Sequence, residues 1–289
     1  MRDPLCGVRH NADVSEDYRD VNRVHWDERA PAHAASADYA VERFVSEPAH
    51  LSSVVRFDLP RLGDVSGRRG LHLQCHIGTD TVSLARLGAR MTGLDFSPSA
   101  LAEARALAER TRAEVDFVEA DAYDAVERLG TAAFDLVFTG IGALCWLPDI
   151  RRWAGTVAGL LRPGGRLFLR EGHPMLWAID ESSTSELVVG YPYFEKRDAL
   201  VFEEEGTYVE TDVEFTANRT FVWNHGLGET VTALLDAGME LTALEEHDSV
   251  PWEALPGQMV RDERDDEWRL TSGRERLPLT YTLQAVKRA

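Results

Sequence analysis

The sequence is poor in lysine, which occurs only as Lys196 and Lys287, so arginine supplies the other basic side chains. The 49 aspartate and glutamate residues outnumber the 31 lysine and arginine residues, and the formal net charge is −18. A surface of this sign repels nucleic-acid phosphates and anionic lipid headgroups. We therefore expect no nucleic-acid partner and no membrane partner.

Cysteine is also scarce, and the three cysteines, Cys6, Cys75 and Cys145, form no CxxC pair. Their odd number predicts free thiols in a reducing compartment. Cysteine and histidine lack the spacing of a zinc site, so no bound metal is expected. No signal peptide and no apolar run of membrane length is recognisable. Together these absences predict a cytoplasmic protein.

What is present is a nucleotide-binding pattern that starts with LHLQCHIGTDT at 71–81. An apolar strand leads into a turn at Gly78 and a helix, and the next strand ends in Asp95. This order is the first half of a nucleotide-binding α/β unit. A GxGxxG fingerprint is absent, because Gln74 and His76 stand where a pyrophosphate needs small residues. The pattern favours a ligand with a ribose and no phosphate at the turn, and S-adenosylmethionine fits that description.

The α/β pattern continues to the C-terminus with one interruption. Ser97-Pro98 is an N-cap followed by proline at the first helical position. Residues 172–222 are rich in aromatics and alternate as antiparallel strands do, with hairpin turns predicted at 203–207 and 217–219. Further strands are predicted at 115–119, 134–138, 166–170, 240–246 and 279–286. The long connection between the last two strands carries an acidic run at 262–267 that is expected to face solvent. Its Trp252, Met259 and Trp268 are expected to pack against the insertion.

Helices are predicted before the first strand. Residues 1–14 are interpreted as a loose arm, and Ser15-Glu16-Asp17 as the N-cap signal of a helix that ends at Glu28. Two more helices are predicted, one over 36–45 and one that starts at 46. Tyr18 and Trp26 would share a face of the first helix, which either packs on the core or closes over a ligand.

Taken together, these segments resemble class I S-adenosylmethionine-dependent methyltransferases from about Tyr18 to the C-terminus. The first segment is similar to motif I of a bacterial small-molecule subfamily that carries LQCHxGxDT in place of acidic-x-Gly-x-Gly. The other matching segments are TGLDFSPSAL at 92–101, EADAYD at 119–124, FDLVFTGIGALCWLPDI at 134–150, LLRPGGRLFLREGHP at 160–174 and WNHGLGETVTALLDAGM at 223–239.

The resemblance implies an α/β fold with a Rossmann-like, seven-stranded and mostly parallel sheet whose last strand is antiparallel. It also implies a helical cap at the N-terminus and an inserted antiparallel β lid. The expected segments are the arm and cap at 1–62, the S-adenosylmethionine-binding core at 63–171, the lid at 172–222 and the C-terminal completion of the sheet at 223–289.

The implied cofactor is S-adenosylmethionine, with S-adenosylhomocysteine as its product. The Asp95 carboxylate can accept hydrogen bonds from both ribose hydroxyls, and Asp121 can accept from the adenine amine unless it only caps the next helix. The predicted cofactor-binding residues are Trp26, Gln74, His76, Gly78, Thr81, Asp95, Phe96, Ser97, Asp121, Ala122 and Thr139.

The chain departs from the general motif at the amino-acid end of the cofactor. His72 occupies the position of the motif acid, and side chains replace the first two motif glycines. We expect Gln74, His76 and the N-terminal helices to hold this end instead, through Trp26 and either His33 or Tyr39.

Methyl transfer from a sulfonium is an in-line displacement, and it needs a general base only if the acceptor keeps its proton. The predicted catalytic residues are Glu171 and His173, which follow the fifth strand, and His225, which lies between the insertion and a helix. Each could take a proton from a substrate OH or NH. Each has a structural alternative: His225 could cap the helix that follows it, and Glu171 could pair with Arg170 or Arg219.

The expected acceptor is a small molecule, planar or heteroaromatic in the manner of an indole, methylated on nitrogen, carbon or oxygen. The predicted substrate residues are Tyr18, Trp146, Tyr191 and Arg219. One alternative is a nicotinamide-dependent oxidoreductase, which the missing GxGxxG and the helical cap disfavour. The other is a protein that binds S-adenosylmethionine without catalysis. The protein is expected to be a monomer or a homodimer.

Overall fold

The computed structural model describes residues 17–288, in which strands and helices alternate between residues 69 and 172. The helices are α1 (Tyr18–Ala35), α2 (Val41–Ser46), α3 (Ser53–Leu62), α4 (Thr79–Arg86), α5 (Pro98–Thr111), α6 (Ala125–Leu129), α7 (Ile150–Leu160), α8 (Pro174–Trp177) and α9 (Leu227–Asp236). The strands are β1 (Arg69–Leu73), β2 (Arg90–Asp95), β3 (Val115–Glu119), β4 (Phe134–Thr139), β5 (Leu161–Gly172), β6 (Leu200–Glu203), β7 (Arg219–Val222), β8 (Met239–His247), β9 (Met259–Asp262), β10 (Glu267–Leu270) and β11 (Thr280–Lys287).

The central sheet has seven strands in the order β3-β2-β1-β4-β5-β11-β8. The pairs from β3 to β5 are parallel, and β11 runs antiparallel to both β5 and β8. A separate small antiparallel sheet consists of β6 and β7. The predicted fold class, a mostly parallel seven-stranded α/β sheet with an antiparallel last strand, is confirmed.

The inner strands are apolar because helices cover both faces of the sheet. One face packs against α7 and α9 around Trp153, and the other packs against α3 and α4 around Phe138. The strand order reverses between β1 and β4, which is where parallel sheets leave a ligand crevice outside the strands' carboxyl ends. The fold therefore brings the turn after β1 and the loop after β4 together at this crevice.

The cap begins with α1, which crosses this crevice. The Asp17 carboxylate accepts a hydrogen bond from the backbone N–H of Arg19 at 2.9 Å and caps the helix. The other residues of the predicted cap signal, Ser15 and Glu16, and the predicted arm at 1–14 lie outside the described residues.

The helices of the cap differ in length from the predicted ones. α1 continues past residue 28 to residue 35 through Pro31, because Ala30 is buried against the core. The Ser36 hydroxyl then donates to the carbonyl oxygen of His33 at 2.8 Å and ends the helix, so α2 begins only at residue 41. α3 begins at residue 53, after its N-cap Ser52, and not at 46.

The insertion after β5 has less regular structure than predicted. β6 and β7 pair with each other, and residues 204–218 form one loop between them. The hairpin turns predicted at 203–207 and 217–219 are therefore wrong. Both segments carry turn-type residues, but Glu203 and Arg219 pair with each other at the end of the β6–β7 ladder, and the carbonyl groups of Gly206 and Ala217 bind α1.

Two charged residues of α1 hold this loop. The buried Arg29 guanidinium donates to the carbonyl oxygens of Gly206 at 2.9 Å and Ala217 at 2.8 Å. The Glu28 carboxylate accepts from the backbone N–H groups of Thr216 at 2.9 Å and Ala217 at 2.7 Å. These hydrogen bonds satisfy backbone N–H and carbonyl groups at both ends of the loop, so the loop packs against α1.

The connection between β8 and β11 contains a hairpin, β9–β10, that the sequence pattern did not predict. The acidic run at 262–267 was predicted to face solvent, but its last residue is buried. Glu267 is fully buried and accepts from the Arg170 guanidinium on β5 at 2.9 Å. As predicted, the aromatic residues of this connection pack against the insertion, in a cluster that contains Trp252, Met259, Trp268, Leu176 and Ile179.

Candidate functional site

A cavity of about 780 Å³, including its open mouth, lies at the carboxyl edge of the sheet beneath α1. The wall combines α1, the turn after β1, the ends of β2 and β3, and the loop after β4. The lining residues are Tyr18, Arg19, Asn22, Trp26, Tyr39, Gln74, His76, Asp95, Phe96, Ala120, Asp121, Ala122, Ile141, Gly142, Ala143, Trp146, Leu147 and Tyr208.

The turn after β1 has a strained backbone. Gln74 and His76 have φ values of 63° and 49°, in the left-handed region that residues with a Cβ rarely adopt. Such residues cost on the order of 1–3 kcal/mol each and cluster at functional sites. The turn therefore keeps the conformation that glycine would supply, while the cavity wall gains two polar side chains.

Asp95 ends β2 and lines the cavity. One carboxylate oxygen accepts from the backbone N–H of His76 at 2.8 Å, and the other accepts from that of Ser97 at 2.9 Å. Each oxygen keeps a second lone pair for a ligand. Burial raises the pKa of Asp95 to about 6, although these two hydrogen bonds favour the charged form. Above that pH, the wall presents a fixed anion that can accept from two hydroxyls.

Asp121 follows β3 and lies on the wall beside Ala122. Its carboxylate accepts from the backbone N–H of Tyr123 at 2.8 Å, so the capping role considered for it is real. Its other oxygen lies 3.3 Å from Nε of Arg19 on α1. The cap and the ion pair leave the side chain at the cavity, where a nucleobase could contact it.

Aromatic rings close the cavity on the side of α1. The Trp26 ring centroid lies 5.1 Å from those of His76 and Trp146, in edge-to-face contact. Tyr18 lines the same wall and packs edge-on against Trp223 at 5.2 Å. The aromatic face of α1 therefore both packs against neighbouring rings and lines the cavity. Such rings attract a nearby cation by ~0.5–2 kcal/mol.

His33, buried in α1, links the cap to the turn after β1. Its Nδ1 lies 2.8 Å from Nε2 of His76, and its Nε2 lies 2.6 Å from the Thr207 hydroxyl. The Tyr208 hydroxyl lies 3.3 Å from Nδ1 of His33 and hydrogen-bonds the Tyr39 hydroxyl. Burial lowers the pKa of His33 to about 2 and that of His76 to about 3, so both rings are neutral at pH 7. This end of the cavity carries polar groups without charge.

Four of the predicted cofactor residues lie behind the cavity wall. Gly78 has a φ of 79°, and a Cβ there would lie 2.9 Å from α5, so packing requires glycine. The Thr81 hydroxyl lies 2.8 Å from Nδ1 of His72, Ser97 caps α5, and Thr139 is fully buried at the end of β4. These residues shape the wall without lining the cavity.

The insertion contributes less of the wall than predicted. Of residues 172–222, Tyr208 alone lines the cavity. Tyr191 packs within the insertion, and Arg219 pairs with a glutamate across the β6–β7 ladder, so neither lies on the wall. The other two predicted substrate residues, Tyr18 and Trp146, do line it.

Glu171 is buried at the end of β5, with its carboxylate surrounded by backbone donors. It accepts from the N–H groups of Gly142 at 2.6 Å, Ala143 at 2.8 Å, Leu144 at 2.9 Å and Gly172 at 2.7 Å. A carboxylate has about four lone-pair sites, so none is left for a substrate proton. The geometry assigns Glu171 to holding the cavity loop after β4, which corrects its prediction as a base.

His173 and His225 are also engaged in structural contacts and lie away from the cavity wall. Nδ1 of His173 caps α8, and its Nε2 lies 3.0 Å from a Glu246 carboxylate oxygen. Nδ1 of His225 lies 2.6 Å from the Glu195 carboxylate, and its Nε2 lies 2.8 Å from the carbonyl oxygen of Leu147. Neither ring reaches the cavity described above, so the structure does not support His173 or His225 as the base.

Several residues of the cavity wall were not predicted from the sequence. Arg19 and Asn22 are polar residues on a helix face that was recognised only by its aromatic residues. Ile141, Ala143 and Leu147 belong to the loop after β4, whose paired glycines were the available signal. They lie on the wall because backbone contacts with Glu171 fold the loop over the crevice.

Within residues 17–288, no group of three or more histidine, cysteine, aspartate or glutamate side chains could hold a metal ion. In the same part of the chain, no helix has the length and apolar character needed to cross a membrane. The expectation that no metal is bound stays a prediction.

Comparison with known proteins agrees with this architecture. Residues 71–167 match a family model described as "Methyltransferase domain". A ubiquinone biosynthesis O-methyltransferase of Xanthomonas oryzae is 32% identical over 169 residues, which cover 57% of this chain and 63% of that protein. Its counterpart in Aromatoleum aromaticum is 34% identical over 124 residues, covering 42% of this chain and 52% of that protein. The chain thus spans less than two thirds of the length of these relatives.

Solved structures share the fold at low identity. An S-adenosylmethionine-dependent methyltransferase of Mesorhizobium loti aligns with a TM-score of 0.54 at 19% identity, covering 82% of this chain and 98% of that one. A Burkholderia thailandensis 1,6-didemethyltoxoflavin-N1-methyltransferase aligns with a TM-score of 0.53 at 18% identity, covering 98% of this chain and 94% of that one. The fold is that of class I methyltransferases.

Proposed function

We propose that the protein is an enzyme that transfers a methyl group from S-adenosylmethionine to a small-molecule acceptor, and that it belongs to the subfamily with the LQCHxGxDT turn. The observation that carries this proposal is the Asp95 carboxylate, fixed by two backbone N–H groups in the wall of a ligand-sized cavity. A carboxylate at the end of the second strand can accept from both hydroxyls of a ribose. The similarity of residues 71–167 to methyltransferase domains supports the same function.

The rest of the wall fits the remaining parts of this cofactor. Asp121 and the backbone of Ala122 would bind the adenine edge, and the Trp26 ring would lie beside the sulfonium. The cofactor supplies an electrophilic methyl group, and the chain orients the reactants and excludes water. We assign no residue as a base, because Glu171 and His225 are fully engaged and the neutral His76 is bonded to His33.

We infer that the acceptor is small and planar or heteroaromatic, as an indole is, with nitrogen, carbon or oxygen as the methylated atom. The rings of Tyr18, Trp146 and Tyr208 on the wall support a flat acceptor. The curated relatives are named for O-methylation in ubiquinone biosynthesis, and one neighbour in fold was solved with 1,6-didemethyltoxoflavin and S-adenosylhomocysteine bound. The net charge of −18 disfavours nucleic acids and anionic membranes as partners, which is consistent with a small-molecule acceptor.

The two alternative functions are less well supported. A nicotinamide-dependent oxidoreductase would need a pyrophosphate site, but the side chains of Gln74 and His76 occupy the turn where it would lie. A protein that only binds the cofactor would not need further aromatic residues for an acceptor, but Tyr18, Trp146 and Tyr208 line the cavity beside Trp26. The matched relatives are named as methyltransferases, which supports catalysis.

Calorimetric titration of S-adenosylhomocysteine between pH 5 and pH 8 tests the proposal. Burial raises the pKa of Asp95 to about 6, so the carboxylate is charged at pH 8 and becomes protonated as the pH falls through 6. A protonated carboxyl loses acceptor capacity, and we expect affinity to fall with it. Asp95→Asn should lower affinity at pH 8 by on the order of 1.5–3 kcal/mol and abolish this pH dependence.

The matched control is Asp80→Asn. Burial also raises the pKa of Asp80 to about 6, but Asp80 is not on the cavity wall, so this variant should keep the wild-type pH profile. Affinity that is unchanged in Asp95→Asn at pH 8 would remove Asp95 from the site. Failure of the wild-type protein to bind would refute the proposed function.

A further inference from the structure

The cavity wall has no acidic residue at the position where the resembled motif has one. His72 stands there, buried, with Nδ1 2.8 Å from the Thr81 hydroxyl, and burial lowers its pKa to about 3. Asp95 and Asp121 are the acidic residues of the described wall, and the proposed function assigns them to ribose and adenine. A ligand with an ammonium group therefore needs another acceptor in the turn after β1.

The Gln74 side chain offers such an acceptor. Its Nε2 donates to the carbonyl oxygen of Ala143 at 2.8 Å. Because a carbonyl oxygen can only accept, the amide nitrogen must face Ala143, and Oε1 must face away from it. Oε1 is buried and has no hydrogen-bond partner within the described residues. A buried acceptor in this state is costly unless a ligand completes its bonding.

The position of this oxygen is fixed in advance. The Gln74 backbone adopts a φ of 63°, and the residue lines the cavity at a position where the resembled motif has glycine. Ala143 is itself held, because its N–H donates to the buried Glu171 carboxylate at 2.8 Å. Because the Gln74 amide is held by Ala143, and Ala143 by Glu171, the Oε1 atom loses little further freedom when a ligand binds. This favours affinity.

The side chains that line the cavity between α1 and the turn after β1 are polar and uncharged, and the Asp80 carboxyl lies behind them. His76 and His33 are neutral, and burial raises the pKa of Tyr39 and Tyr208, so both phenols keep their protons. The one cation on the described wall, Arg19, pairs with Asp121. An α-amino acid group would thus meet neutral donors and acceptors at this end.

We propose that Gln74 Oε1 accepts a hydrogen bond from the α-ammonium group of the cofactor's amino-acid end, in place of the acid of the resembled motif. This inference rests on the proposed function and assigns one contact within it. The Gln74 amide binds the ammonium, while Ala143 and Glu171 position the amide. Because the acceptor is neutral, the contact depends on hydrogen-bond geometry and not on an ion pair.

Calorimetry with three ligands tests this contact. The ligands are S-adenosylhomocysteine, its deamino analogue, in which hydrogen replaces the ammonium, and 5′-methylthioadenosine, which lacks the amino-acid end. Gln74→Met, similar in length and unable to accept strongly, should weaken S-adenosylhomocysteine binding at least about 10-fold, as for a lost hydrogen bond to a charge. Its affinities for the other two ligands should stay close to those of the wild type.

The matched control is Gln258→Met, because the Gln258 amide also donates to a backbone carbonyl oxygen, that of Ser183 at 2.7 Å, but does not line the cavity. It should leave all three affinities unchanged. Equal weakening of all three ligands by Gln74→Met would reduce Gln74 to a structural contact and overturn the inference alone, as would unchanged affinity for S-adenosylhomocysteine. Wild-type protein that binds none of the ligands would overturn the proposed function together with the inference.

Discussion

Replacement of Glu171 by alanine is expected to lower the free energy of unfolding by about 3 kcal/mol or more, since each buried donor left without a partner costs ~1–3 kcal/mol. The variant removes the acceptor for the N–H groups of Gly142, Ala143, Leu144 and Gly172. The loop that these residues form lines the cavity, so S-adenosylhomocysteine affinity should fall as well. Urea unfolding and calorimetric titration measure the two effects.

Glu171→Gln distinguishes this positioning role from catalysis. An amide turns a donor toward backbone N–H groups, so stability and cofactor affinity should fall together. A catalytic base would give the opposite result, with stability and affinity kept and turnover lost. Glu240→Gln, a change at an exposed carboxylate on the edge strand β8, is the control and should leave both measurements near wild type.

Arg170→Met is expected to lower the free energy of unfolding by about 3–5 kcal/mol, the range for breaking a buried ion pair. Arg170 and Glu267 are both fully buried, 2.9 Å apart, and the guanidinium also lies over the Phe57 ring. The substitution leaves the Glu267 carboxylate without its partner in the core. Denaturant unfolding gives the magnitude.

The double variant Arg170→Met/Glu267→Leu should recover part of the lost stability, because it also removes the Glu267 charge from the core. The recovery is incomplete, because the buried Asp58 carboxyl still loses its attraction to Arg170. Arg43→Met is the matched control: Arg43 forms an exposed ion pair with Glu47, and such pairs contribute ~0–1 kcal/mol. A loss below about 1 kcal/mol in Arg170→Met would contradict this account, because it is the size expected for an exposed pair.

The core of the fold could be predicted because its signals are local. The strand, turn, helix and acid between residues 71 and 95 lie close in sequence, and a parallel sheet brings the ends of such strands together. The sequence alone was therefore sufficient to predict that Asp95, Asp121 and the turn with Gln74 and His76 belong to the ligand site. Trp26 could be predicted as well, because the helical cap has one aromatic face.

The roles of the polar residues at strand ends could not be predicted, because distant partners decide them. Glu171 is a plausible base in sequence, but its carboxylate is used by a loop about 28 residues earlier. His225 is next to a helix start, yet Gly226 is the N-cap and the imidazole binds Glu195 and the loop after β4. Composition alone also suggested that Glu267 faces solvent, although Arg170 neutralises it in the core.

The same limit applies to the lid. Aromatic alternation over 172–222 suggested an acceptor pocket formed by strands, but the side chains of α1 bind the loop's backbone and leave Tyr208 as its contact with the cavity within the described residues. Sequence periodicity carries no information about a helix that satisfies a loop from another part of the chain. Helix α1 and the loop after β4 therefore supply much of the cavity wall, and the insertion supplies little of it.

Methyl-transfer activity is the most direct test of the central claim, that this cavity binds S-adenosylmethionine and delivers its methyl group to a small planar acceptor. The wild-type protein is incubated with S-adenosylmethionine labelled in the methyl group and with a panel of indoles, phenols and nitrogen heterocycles. Label and S-adenosylhomocysteine are then measured by chromatography and mass spectrometry, with Asp95→Asn as the reference variant. We expect label in at least one acceptor, formed in step with S-adenosylhomocysteine and strongly reduced in Asp95→Asn. Binding of S-adenosylmethionine with no labelled product from any acceptor, or equal transfer by both proteins, would contradict the account.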